Sequence, residues 1–342
     1  MKKILVILTG GTICSFENSS GERTADTENA KYKIISNFRN STSPFKDTEF
    51  DFLMPLDILS ENMTVKTWNI LLDVFRGKSF DEYEGIIILH GTDTLAYTSS
   101  LLSMMLTHLQ VPVILVSSQL PIDRNEANGN ANFRAGVELI MNGLKPNVYA
   151  VYRNSDNALY LHYGSHLLQC ENYSDDFSSI DAIKIPDKEN ACLDGKDFQT
   201  KNDFLNKITE LTPSVMTINP YVGINYDNFC LENISAVIHG TFHTQAVCVE
   251  RSKNQGTFTS FSILSFLERC KKNNIDLLLC PCDENAFSYE STGDALRNGC
   301  LAISGMTKEI SYVKTLIGSS LGLKGKELSD FINVEINLEK IH

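Results

Sequence analysis

Lys3-Ile4-Leu5-Val6-Ile7-Leu8-Thr9-Gly10-Gly11-Thr12 decides how this chain folds. Positions 4 to 8 are apolar without alternation, the pattern of a strand covered on both faces, as in a parallel sheet between helix layers. Similar runs follow at Gly85-Ile86-Ile87-Ile88-Leu89, Pro112-Val113-Ile114-Leu115-Val116 and Val148-Tyr149-Ala150-Val151-Tyr152. Between the first two, Trp68, Leu71, Leu72 and Phe75 recur at helical spacing behind Thr64, a suitable N-cap. Leu95 to Leu109 and Ala131 to Met141 read as further crossover helices. Strand alternating with helix predicts an α/β fold, with a doubly wound, mostly parallel N-terminal sheet.

The rhythm breaks in a polar stretch near Asp187-Lys188-Glu189-Asn190 and restarts at Val215-Met216-Thr217-Ile218. Strands at Ala236-Val237-Ile238-His239 and Leu277-Leu278-Leu279-Cys280 then alternate with helices near 260–274, 294–302 and 311–321. The expected organisation is an N-terminal catalytic domain over 1–190, a linker over 191–212 and a smaller C-terminal α/β domain over 213–342.

The 342 residues carry a formal charge of −12 and no block of lysine or arginine. That excludes the electrostatic footprint of a nucleic-acid or anionic-membrane binder and leaves small molecules or proteins as partners. The five apolar residues after Lys3 fall short of the roughly 7–15 of a secretory core, and no run reaches the ~18–20 residues of a membrane span. A cytoplasmic location is expected. Nine scattered cysteines suit reduced core thiols. Cys280-Pro281-Cys282 fits neither zinc nor thioredoxin spacing, and no cluster has metal-ligand spacing, so no metal or cofactor is expected.

In an open parallel sheet, ligands bind beyond the carboxyl ends of the strands. Three such ends are rich in hydroxyls: Thr9-Gly10-Gly11-Thr12, His90-Gly91-Thr92-Asp93-Thr94 and Ser117-Ser118-Gln119. Each has an ordinary explanation alone. The glycines suit a tight turn, and Asp93 or Thr94 suits an N-cap for the helix from Leu95. Neither nucleotide-binding glycine pattern is present, since Gly77-Lys78-Ser79 has Leu72 where a P-loop needs glycine. Together the three ends predict a hydroxyl nucleophile beside backbone donors for an oxyanion, supplied by Gly11 and Thr12.

Thr9-Gly10-Gly11-Thr12-Ile13 paired with His90-Gly91-Thr92-Asp93-Thr94 resembles the two signatures of the bacterial-type asparaginase/glutaminase family, most like its cytoplasmic type I branch. The resemblance continues through Ser117-Ser118-Gln119-Leu120-Pro121 and more weakly toward the C-terminus. It implies that Thr12 attacks the side-chain amide of L-asparagine, giving an acyl-enzyme and ammonia before water releases aspartate. It implies Thr92 as the second catalytic threonine and Asp93 as the carboxylate for the substrate amine. Ser60 and Glu61 would hold the substrate, Gly11 would line it, and Ser118 would help bind the scissile amide. The family also implies a homodimer or homotetramer. An archaeal tRNA-amidotransferase subunit is similar but carries an extra N-terminal domain, for which a strand from Lys3 is expected to leave no room.

Two departures stand out. The family has a lysine beside the aspartate of the second signature, yet 154–183 holds neither lysine nor arginine, leaving His162 or His166 as substitutes. The family's lid tyrosine is also missing, leaving Glu22, Arg23 or Thr24 in a polar lid over 15–30. These gaps keep open an asparagine sensor with reduced turnover, or an amidase for glutamine or another small ω-amide. A flavodoxin-like nucleotide binder rests only on the doubly wound pattern.

Overall fold

The computed structural model describes residues 2–17, 23–186, 195–198, 200–252, 257–283 and 289–341. The chain forms two compact units, residues 1–209 with 336–338 and residues 210–335 with 339–342.

In the first unit the strands are β1 (Lys3–Leu8), β2 (Ser15–Glu17), β3 (Arg23–Ala25), β4 (Glu49–Leu53), β5 (Gly85–Leu89), β6 (Val113–Val116), β7 (Val148–Arg153), β8 (Leu159–Tyr163) and β9 (Ile183–Lys184). The helices are α1 (Thr27–Arg39), α2 (Val65–Asp73), α3 (Leu95–Met105), α4 (Gly129–Met141) and the short α5 (Phe204–Lys207). Seven strands make one sheet in the order β4-β1-β5-β6-β7-β8-β9. The first five are parallel, β8 runs antiparallel to β7, and β9 runs antiparallel to β8. Counting only the parallel strands, the order is 2-1-3-4-5, whose switch point lies between β1 and β5.

Burial explains why β5, β6 and, after Lys3, β1 hold no polar side chain. Ile4, Val6, Leu8, Ile87, Leu89, Ile114 and Val116 share one core with Ile34 and Phe38 of α1 and with Phe133 and Val137 of α4. Each such side chain removed from water contributes about 1.5–3 kcal/mol. Pairing aligns Leu8 with Leu89 and Leu89 with Val116, so three strands end on one level. The helix expected behind Thr64 is α2, and Thr64 and Thr67 close a reciprocal capping box at its start.

The described residues of 15–30, expected as an irregular lid, carry regular structure. Strands β2 and β3 pair as an antiparallel hairpin, with Ser15 opposite Ala25, and α1 begins at Thr27 behind the Asp26 cap. Glu22 lies outside the described residues, as does the polar stretch 187–194 where the sequence rhythm breaks.

The second unit carries a four-stranded parallel sheet, β10 (Val215–Ile218), β11 (Ala236–Gly240), β12 (Asp276–Cys280) and β13 (Leu301–Ala302), in that order. Helices α6 (Ile263–Lys272), α7 (Glu290–Arg297), α8 (Lys308–Ser320) and α9 (Gly325–Asn333) accompany it. The fold is therefore α/β throughout, with a larger N-terminal and a smaller C-terminal sheet. Among the described residues no helix is long and apolar enough to cross a membrane.

Candidate active site

The three hydroxyl-rich segments leave β1, β5 and β6 side by side and latch to one another. Thr9 donates its N–H (3.1 Å) and its Oγ1 hydrogen (2.9 Å) to Leu89 O. His90 N–H reaches Val116 O at 3.0 Å, and Ser117 Oγ returns a bond to His90 O at 2.6 Å. Thr9, His90 and Ser117 are buried, so these polar groups act as internal ties between strand ends.

Glycine lets these segments come closer than side chains would. Gly11 has φ 79° and ψ −178°, a region nearly reserved for glycine, and a Cβ there would sit 2.3 Å from Gly91 Cα and N. A Cβ on Gly91 would sit 2.3 Å from Ser60 Oγ. Gly11, Gly91 and Ser60 are thus packed backbone to backbone to side chain, which brings the segments that bear Thr12, Thr92 and Asp93 together at the β1/β5 switch point.

Thr12 opens a 3-10 turn over Thr12–Cys14 and is half-buried. Gly11 N–H, expected as an oxyanion donor, is given to Ile58 O at 2.8 Å, while Gly11 O accepts from Ser15 Oγ at 2.8 Å. Gly11 therefore acts as a spacer, and the Thr12 N–H, at a helix start without an intrahelical partner, is the donor left for an anion.

Ser60 is buried and tied to the second segment in three ways. Its Oγ lies 3.3 Å from Asp93 Oδ2 and accepts from Asp93 N–H at 3.2 Å, and its carbonyl accepts from Thr94 Oγ1 at 3.0 Å. The Thr94 hydroxyl is thereby diverted from the N-cap role expected for α3, which has no side-chain cap. Glu61 follows Ser60 and is exposed. Ser118, expected at the scissile amide, has its hydroxyl spent elsewhere: it donates to Leu120 O at 2.6 Å and accepts from Gly129 N–H at 3.0 Å. It secures the start of α4 instead.

His90 is fully buried with Nδ1 2.7 Å from Gly91 O, and burial pushes its pKa down to about 4. It is a neutral structural ring at pH 7. The two histidines considered in place of the family's lysine are engaged away from Asp93. His162 Nδ1 pairs with Ser179 Oγ at 2.8 Å, and His166 contacts Ile180 O and Leu338 O.

What the segment after β8 delivers to the second signature is Gln169, whose Nε2 donates to Thr92 O at 3.3 Å. Sequence reasoning passed over it because a glutamine among Leu168, Cys170 and Glu171 carries no pattern. Gln169, Thr92 and Asp93 line a cavity of about 410 Å³ together with Tyr152, Glu171 and Asp175. Among the described residues, no lysine or arginine lines it. The cavity wall combines the Thr92 hydroxyl and the carboxyl groups of Asp93, Glu171 and Asp175 with neutral polar groups, a set suited to a ligand that brings its own positive charge.

Residues 3–189 match the family described as Asparaginase, N-terminal. Over 350 residues the chain is 27% identical to a glutamyl-tRNA(Gln) amidotransferase subunit of Thermoplasma volcanium, spanning 97% of this chain and 79% of that protein. Over 151 residues, 44% of each protein, it is 34% identical to an L-asparaginase of Thermococcus kodakarensis. The solved structure of the thermostable L-asparaginase from Thermococcus kodakarensis superposes with a TM-score of 0.73 at 21% identity over 99% of both chains, a likeness of fold.

Proposed function

Because this chain belongs to the asparaginase family, we propose that it hydrolyses the side-chain amide of L-asparagine to L-aspartate and ammonia, with Thr12 as nucleophile. The observation that carries this is the close packing of Gly11, Gly91 and Ser60, which supports a single site made of Thr12, Thr92, Asp93 and Ser60.

In this mechanism Thr12 Oγ1 attacks the amide carbon, and the Thr12 N–H steadies the oxyanion. The C–N bond then breaks and the nitrogen leaves as ammonia, carrying the proton released from the Thr12 hydroxyl, with the Thr92 hydroxyl as relay. Water next attacks the acyl-enzyme, frees aspartate and restores Thr12. Asp93, oriented by Ser60, pairs with the α-ammonium, and exposed Glu61 adds a second negative charge nearby. No metal or organic cofactor enters these steps. The protein is proposed to work in the cytoplasm as a homodimer or homotetramer, a state that light scattering measures directly.

The test is ammonia release from millimolar asparagine. Thr12→Ala should lower kcat by at least about 10³-fold, as loss of a nucleophile does elsewhere. Unchanged turnover in that variant would remove Thr12 from its role. A wild-type protein that gains thermal stability from asparagine without releasing ammonia would instead be a sensor.

Two observations favour a second reading, hydrolysis of glutamine or another ω-amide, including ammonia supply to a tRNA-linked amidation. The amidotransferase relative matches nearly the whole chain, and Gln169 puts a neutral group beside Thr92. Comparing kcat/KM for asparagine and glutamine separates the two.

A further inference from the structure

Tyr152, at the end of β7, is 1% exposed, and its hydroxyl hydrogen meets no acceptor among the described residues. Buried hydroxyls are nearly always paired, and an orphan is costly, so this one calls for an explanation. It is not a loosely held group. The ring packs edge-on against Phe177 with centroids 4.8 Å apart, which fixes where the hydroxyl points. Burial holds its pKa above the ordinary tyrosine value, so it stays a protonated donor. The nearby Asn128 carboxamide tempers that shift by donating toward the phenol oxygen, but it offers the phenol hydrogen no acceptor, because its own oxygen takes Gln119 N–H.

Tyr152 also lines the cavity of Thr92, Asp93 and Gln169. The carboxyl groups on that wall are Asp93, Glu171 and Asp175, and among the described residues no lysine or arginine stands there to receive an oxygen of a bound ligand. Cys170 gives its thiol hydrogen to Asp176 O at 3.3 Å, and Gln169 already donates to Thr92 O. A fixed, neutral, unspent donor therefore stands beside the two residues assigned to the substrate.

We propose that Tyr152 is a specificity-determining residue of this site, its hydroxyl donating a hydrogen bond to an oxygen of the bound amino-acid amide. The inference rests on Thr92 and Asp93 holding that substrate. It means that recognition of the zwitterion is divided: Asp93 takes the ammonium, and a phenol rather than a cation takes an oxygen.

Tyr152→Phe keeps the ring and its contact with Phe177 while removing only the hydroxyl. Expected are a drop in kcat/KM for asparagine of about tenfold, a smaller thermal shift with L-aspartate, and a ligand-free melting temperature equal to or above wild type. Wild-type kcat/KM and an undiminished aspartate shift in Tyr152→Phe would overturn the proposal, whatever happens to ligand-free stability. If the wild-type protein binds aspartate yet releases no ammonia, the hydrolase assignment fails while the aspartate shifts still judge Tyr152. If neither amino acid stabilises the wild type and no ammonia appears, both fall.

Discussion

Replacing Gly11 with alanine tests the construction of the site in one step. The residue sits at φ 79° and ψ −178°, where a side chain costs about 1–3 kcal/mol in backbone strain. The new Cβ would lie 2.3 Å from Gly91 Cα and N, main-chain atoms that cannot swing aside. Overpacking of that kind adds about 1–3 kcal/mol. The expected total is about 2–6 kcal/mol, a large share of the roughly 5–15 kcal/mol that holds a typical domain together. Gly77 provides the control, since it has φ +62° and nothing within 4 Å of its missing Cβ. Gly77→Ala should cost only about 1–2 kcal/mol in strain. Urea denaturation of both variants isolates the collision from the strain. Gly11→Ala should also lower kcat/KM by about 10²-fold, because relief of the collision moves Gly91 and with it Thr92, Asp93 and Ser60. A Gly11→Ala protein no less stable than Gly77→Ala, with kcat/KM within about threefold of wild type, would refute the close packing on which the site depends.

Two further outcomes are expected. Gln169→Lys places a cation near Asp93 and Thr92, and should raise kcat for asparagine about tenfold by lowering the barrier to proton transfer around Thr92; an unchanged or lower kcat would mean that the neutral amide is not what limits turnover. Three buried histidines, His90, His162 and His239, have folded pKa values of about 4 against an ordinary 6.5, in each case chiefly through burial. The unfolded chain therefore binds protons first as pH falls. Stability is full above about pH 6.5 and is lost between 6.5 and 4, by up to about 1.4 kcal/mol per pH unit for each ring. Urea midpoints should fall steeply over that window, and His162→Asn should shallow the slope by about one proton; a flat profile would contradict the burial argument.

Much of the parallel sheet was legible because its strands are buried on both faces, which leaves runs such as Ile4–Leu8 and Ile86–Leu89 with no polar position. Strand β4 was not, since Glu49-Phe50-Asp51-Phe52-Leu53 lies at the sheet edge and keeps acidic residues. Helix α1 was hidden for a related reason. Its contact with the core is a narrow stripe of Ala30, Ile34 and Phe38 among charged neighbours.

At the site, the sequence alone determined which chemistry is on offer, because Thr12 and the Thr92-Asp93 pair follow strands whose apolar runs set where they end. Tertiary structure decided how each group is spent. Ser118 and Gly11 N–H were free to be chosen from the sequence, yet packing commits them to Gly129, Leu120 and Ile58. Conversely Gln169 and Tyr152 carry no local signal, one in a loop and the other in an apolar strand. Only the approach of β7 and the segment after β8 to the end of β5 brings them to Thr92 and Asp93. A hydrogen bond depends on distances between residues far apart in the chain, and pattern along the chain does not encode those distances.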